Sequence, residues 1–110
     1  MTEKHLSSQF DAELNNVSGM VMEMGGLVEQ QMRQAVEAMV DYNAEVAMSV
    51  LKAEPQVNTM EMEIDHELTS IIGRRQPTAR DLRLLIAISR ATGNLERAGD
   101  EAAKIARMMQ

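Results

Sequence analysis

Residues 8–42 read SQFDAELNNVSGMVMEMGGLVEQQMRQAVEAMVDY, and the spacing of the seam positions in this stretch decides the fold. Phe10, Leu14, Val17, Val21, Met24, Val28, Gln31, Ala35, Ala38 and Tyr42 follow one another in steps of four and three. Such steps return side chains to one face of a 3.6-residue helix, which makes this a heptad seam. Met20 and Leu27 widen the stripe until it can face two neighbours at once. Gly25-Gly26 lowers helix propensity by about 1 kcal/mol per glycine. That pair is expected where another helix comes close; a hinge is the other reading.

Working outward, the same rhythm recurs twice. Asn43 is placed to cap a second helix, because its side-chain oxygen can accept from the free first-turn amides. Val46, Val50, Ala53, Val57, Met60, Ile64, Leu68 and Ile71 then repeat the steps of four and three. Pro55 lies inside this run, removes a backbone donor and crowds the preceding turn, so a kink near Ala53-Glu54 or a short break is expected. Gly73-Arg74-Arg75-Gln76-Pro77 stops the helix: Gly73 suits a left-handed cap, and Pro77 biases Gln76 away from helical angles. Thr78 with Asp81 resembles a capping box for a third helix, whose seam is Leu85, Ile88, Thr92, Leu95, Ala102, Ile105 and Met109. The expectation is an all-α antiparallel three-helix bundle in one domain, 1–110, with helices over about 8–42, 44–73 and 78–109. At ~1.5 Å per residue each helix is ~45–50 Å long, so the bundle is elongated.

Composition agrees and narrows the function. Phe10 and Tyr42 are the only aromatics, so aliphatic and thioether side chains must fill the core, which argues against sandwiches and barrels. Without cysteine there are no disulfides, thiolate zinc sites or cysteine nucleophiles, and a reducing cytoplasmic address is expected. No apolar run suits a signal sequence or a membrane span, so membrane contact is expected only through a partner. Residues 1–73 carry three basic and thirteen acidic side chains, whereas residues 74–110 carry eight basic and four acidic. The overall charge of −6 disfavours nucleic acid, whose affinity rests on phosphate neutralisation.

Two carboxylate pairs stand out. Glu61 with Asp65, and Glu96 with Asp100, are each four apart and so share a helix face. Oxygen donors of this kind suit Mg²⁺, Mn²⁺, Ca²⁺ or iron, while the plain alternative is a solvated acidic face. Counting from the turn, the two pairs differ in level by about five residues at closest, ~7 Å, so a single four-carboxylate cage is not expected. Glu63 and His66 form one Glu-x-x-His unit, but di-iron bundles need two, and the remaining histidine is His5. His66 reads as a surface residue. Arg83, Arg90, Arg97 and Lys104 recur every seven residues as one basic stripe. The stripe is expected to cover acidic faces of the first two helices, or else to dock an acidic or phosphate-bearing partner. Among eleven methionines, Met24 and Met60 read as core, whereas Met22, Met32, Met48 and Met62 lie off the seams, as an adaptable contact surface or a loosely defined core. No catalytic triad, phosphate loop or metalloprotease motif is present, so binding rather than catalysis is expected.

Arg75-Gln76-Pro77-Thr78-Ala79-Arg80-Asp81-Leu82-Arg83, followed by Asn94-Leu95-Glu96-Arg97-Ala98-Gly99-Asp100, resembles the PhoU family. Phe10-Asp11-Ala12-Glu13-Leu14 and Met24-Gly25-Gly26-Leu27-Val28-Glu29-Gln30-Gln31 extend the resemblance over essentially the whole chain. Ala98 stands where the family usually has isoleucine. The resemblance implies a non-enzymatic cytoplasmic regulator of phosphate uptake and negative regulator of the phosphate-starvation response. Its implied partners are the ATPase subunit of a phosphate ABC transporter and a sensor histidine kinase. Family members carry two three-helix repeats, and this chain resembles the first, with homo-oligomers such as dimers expected. The resemblance also assigns metal, as iron, Mg²⁺ or Mn²⁺, to Glu61, Asp65, Glu96 and Asp100. The partner-binding expectation falls on Arg83, Arg90 and Arg97. A carboxylate-bridged iron protein and a plain helical oligomerisation module are the alternatives.

Overall fold

A computed structural model describes residues 2–110, with side chains from residue 8 onward; His5 lies outside the described side chains. Three helices follow one another: α1 (Thr2–Asp41), α2 (Ala44–Arg75) and α3 (Ala79–Met108). Short turns reverse the chain twice, so α2 runs antiparallel to both α1 and α3. The bundle measures 60 × 18 × 17 Å. α1 begins six residues before the position read from the seam, because the apolar rhythm starts only at Phe10 and the polar turns before it carry no period.

The first reversal uses one residue for two jobs. Tyr42 adopts a left-handed conformation with φ 51°. This lets the Asn43 amide reach back to the Ala38 carbonyl at 3.0 Å, a Schellman-type closure of α1. Asn43 Oδ1 then accepts from the amides of Glu45 (3.0 Å) and Val46 (3.2 Å) and caps α2. Tyr42 is thereby thrown off the seam it was assigned to and is 86 % exposed. At the second reversal it is Gln76, not Gly73, that takes the left-handed cap, with φ 44°. Gly73 stays inside α2, and Pro77 keeps Gln76 out of the right-handed helical region. Thr78 Oγ1 accepts from the Asp81 amide at 3.3 Å to start α3. α2 is continuous through Pro55.

The core falls into two parts. The larger is built from Phe10, Val17, Met24, Val28, Val57, Ile64, Leu68, Ile71 and Leu85. The smaller, towards the α1–α2 turn, is largely alanine: Ala35, Ala38, Ala47, Val50, Ala102 and Ala106. Between them sits Gln31, 1 % exposed, donating Nε2 to the Val50 carbonyl at 3.2 Å. Its Oε1 has no hydrogen-bond partner among the described residues. Gly99 of α3 lies against that oxygen: a Cβ there would stand 3.2 Å from Gln31 Oε1 and 3.5 Å from Val57 Cγ1. The glycine that lets helices approach is therefore Gly99. Gly25 meets only Leu95, at ordinary contact distance, and Gly26 meets nothing.

Candidate functional site

The carboxylate pairs lie along the groove between α2 and α3. Glu61 and Asp65 line an open cleft of about 240 Å³ opposite Ser89, Thr92 and Gly93. One turn further along α3, Glu96 has its carboxyl pushed up from the ordinary range, first by burial, then by a hydrogen bond that its protonated form donates to Asp100 and by the charges of Glu61 and Asp100. Arg97 pulls weakly the other way. The antiparallel register thus brings Glu61 into electrostatic reach of Glu96. Asp65 exerts no such influence and stays exposed beside Ser89. The four carboxylates form a row, Asp65–Glu61–Glu96–Asp100, rather than a cage.

This row fits a hard cation in the kind of donor it offers. It does not fit in assembly: among the described residues no group of three or more His, Asp or Glu is gathered closely enough to hold a metal ion. Glu63 lines a separate groove against α1 with Met20 and Glu23, and His66 is exposed on α2.

The basic residues divide differently from the sequence expectation. Arg83 donates to the Ala79 carbonyl, Arg97 to Asn94 and Lys104 to Glu101, all within α3. Among the described residues, neither these nor Arg90 forms an ion pair with α1 or α2. All four are exposed, so the stripe does not cover the acidic faces of the bundle. Inter-helix pairing falls to other cations. Arg75 Nε donates to Glu13 Oε1 of α1 at 2.6 Å, and its Nη1 to Gln9 at 3.0 Å. Arg74 Nη2 comes within 2.7 Å of Glu13 Oε2, an ionic contact outside hydrogen-bond angles. Arg107 grips Glu54 with two bonds of 2.8 and 3.1 Å. The signal for the Glu13 clamp was in the sequence: two arginines at the C-terminal end of α2, where cations also suit the helix dipole.

The two motif stretches now have physical roles. Arg75 ties α2 to α1, Gln76 closes α2, and Thr78 opens α3. Glu96 and Asp100 supply half of the acidic row, and Gly99 admits Gln31. Met24 is core and Met60 packs against it; Met32 packs on the alanine cluster. Met22, Met48 and Met62 are exposed.

These features define a three-helix bundle module with an acidic inter-helix groove and an exposed basic edge. Residues 21–109 match the PhoU domain, and the chain belongs to the PhoU family. It is 53 % identical over 106 residues to a phosphate-specific transport system accessory protein PhoU homolog from Burkholderia sp., covering 96 % of this chain and 45 % of the relative. With the phosphate-specific transport system accessory protein PhoU of Escherichia coli (strain K12) the identity is 48 % over 104 residues, 94 % and 43 % of the two chains. The crystal structure of PhoU from Pseudomonas aeruginosa superposes with a TM-score of 0.89 at 48 % identity, over 91 % of this chain and 48 % of that one. The chain thus spans just under half the length of these relatives. Among the described residues no helix is long and apolar enough to cross a membrane.

Proposed function

We propose that this chain is a non-enzymatic cytoplasmic regulator of phosphate uptake that restrains the phosphate-starvation response. It works as an adaptor between the ATPase subunit of a phosphate ABC transporter and a sensor histidine kinase. One observation carries the reading: nearly the whole chain aligns at about half identity with proteins named as accessory to phosphate-specific transport. The exposed stripe Arg83, Arg90 and Arg97 supports it, since cations that form no ion pair among the described residues, in a chain of net charge −6, are available to an acidic partner surface. Pull-down of purified ATPase subunit and kinase cytoplasmic region, at two salt concentrations, tests the proposal. Salt-sensitive capture of at least one, weakened by the triple reversal R83E/R90E/R97E, is expected. A folded chain that captures neither sinks it.

A second reading, cation binding along the acidic row, draws on the raised Glu96 carboxyl, which marks a concentration of negative potential. The four carboxylates, Glu61, Asp65, Glu96 and Asp100, would have to draw together to hold the ion, as iron, Mg²⁺ or Mn²⁺. Elemental analysis of untagged protein beside E96A and D100A is the check; equal metal content in all three removes this assignment.

A further inference from the structure

One level of the bundle carries a helix-weakening residue in each of its three helices. In α1 it is Gln31, buried with its Oε1 unpartnered among the described residues. An acceptor withdrawn from water without a donor favours any state that lets water reach it. In α3 it is Gly99, whose backbone faces that oxygen, with Val57 and Val28 beside it. Glycine loses more backbone freedom in a helix than any other residue. In α2 it is Pro55, which lies between Val57, beside Gly99, and Val50, whose carbonyl takes the Gln31 amide at 3.2 Å. Having no N–H, Pro55 withholds from the Leu51 carbonyl the donor that would continue the helical ladder.

The two ends joined at this level are held unequally. Towards the α2–α3 turn, Phe10, Met24, Ile64, Leu68, Ile71 and Leu85 fill the core, and Glu13 is gripped by Arg74 and Arg75. Towards the α1–α2 turn, the buried cluster is Ala35, Ala38, Ala47, Ala102 and Ala106 with Val50. An alanine side chain withdraws a single methyl group from water, so this end gains less by staying closed. Its turn also holds Tyr42 left-handed, a conformation that costs a non-glycine residue.

We propose that the layer of Gln31, Pro55 and Gly99 is a hinge built into the bundle. At this hinge the alanine-cored end, residues 32–52 and 100–109, opens as a unit while the clamped end stays packed. Opening lets water reach Gln31 Oε1 and the Leu51 carbonyl, and Gly99 absorbs the change in backbone angles. Glu96 lies on the fixed side of Gly99 and Asp100 on the moving side. The movement therefore changes the spacing of the acidic row, in which the closed form gathers no three carboxylates round one point among the described residues.

Native-state hydrogen exchange of the whole chain, followed residue by residue in guanidinium below the unfolding transition, tests this. Amides of residues 35–52 and 102–106 are expected to exchange through one common opening. Their protection should be ~100-fold or more below that of residues 57–71 and 85–95. I64V, in the larger core, should lower protection of the second set and leave the alanine-cored end unchanged, because opening at the hinge does not disturb that core. P55A, at an exposed position, supplies the missing donor and should slow exchange of the alanine-cored end by ~10-fold or more. Q31M removes the orphan acceptor at nearly constant volume and should also slow it, by ~10-fold. Equal protection at the two ends overturns the proposal. So does an alanine-cored end that loses protection in step with I64V, or one whose exchange neither P55A nor Q31M slows.

Discussion

Replacing Gly99 by alanine tests the packing of the three helices at their tightest point. In an open helical position the change gains about 1 kcal/mol, because alanine loses less backbone entropy than glycine. Gly19 of α1 is such a position, with nothing within 4 Å of a built Cβ. At Gly99 the new methyl would stand 3.2 Å from Gln31 Oε1. Gln31 is poorly placed to retreat: it is 1 % exposed and its amide is held at 3.2 Å by the Val50 carbonyl. Overpacking of this kind costs about 1–3 kcal/mol, so G99A is expected to lose about 1 kcal/mol net while G19A gains about 1. Urea unfolding followed by circular dichroism at 222 nm reads both, with constant slope as the check on two-state behaviour. The cause can be isolated: in a Q31A background the remaining neighbours, at 3.5 and 3.8 Å, are ordinary contacts, and G99A should become favourable. G99A as stabilising as G19A in the wild-type background would refute the reasoning.

The Glu13 clamp should matter more than an average surface pair, because Glu13 is only 16 % exposed and meets two arginines. E13Q is expected to lose about 1–2 kcal/mol in the same unfolding assay, with little dependence on salt. For Glu96 the sign follows from its raised carboxyl: the folded state holds that proton more tightly, so its stabilising contribution is present at low pH and lost as pH rises through the folded value. E96Q, fixed in the neutral form, should be more stable than wild type at pH 7, and the gap should close as pH falls below the ordinary carboxylate range. A gap that widens on acidification contradicts the cause assigned here. Y42G relieves a left-handed non-glycine residue and should raise the thermal midpoint, by a gain of about 1 kcal/mol.

The seams placed three helices in order, with antiparallel sense and most of their buried faces, because a period of 3.6 residues is a local property that needs no partner to be seen. Val17, Met24, Val57, Ile64 and Leu85 are buried where the steps of four and three put them. The caps at Asn43 and Thr78 were equally legible, since a side chain that satisfies first-turn amides acts within three residues. What crosses between helices was not. The sequence marked Gly25-Gly26 for close approach, but the packed bundle gives that role to Gly99. It set Arg83, Arg90, Arg97 and Lys104 in a row but not which way the row faced, and the fold turned it to solvent while Arg74, Arg75 and Arg107 took the acidic partners. It paired Glu61 with Asp65 and Glu96 with Asp100. Only the α2–α3 register, fixed by how the large and alanine cores seat around Gln31, decided that Glu61 and Glu96 feel one another while Asp65 stands apart. Periodicity settles which side of a helix is buried; the rotation and offset of one helix against the next come from side-chain volumes meeting across the core, and those exist only once the three are packed.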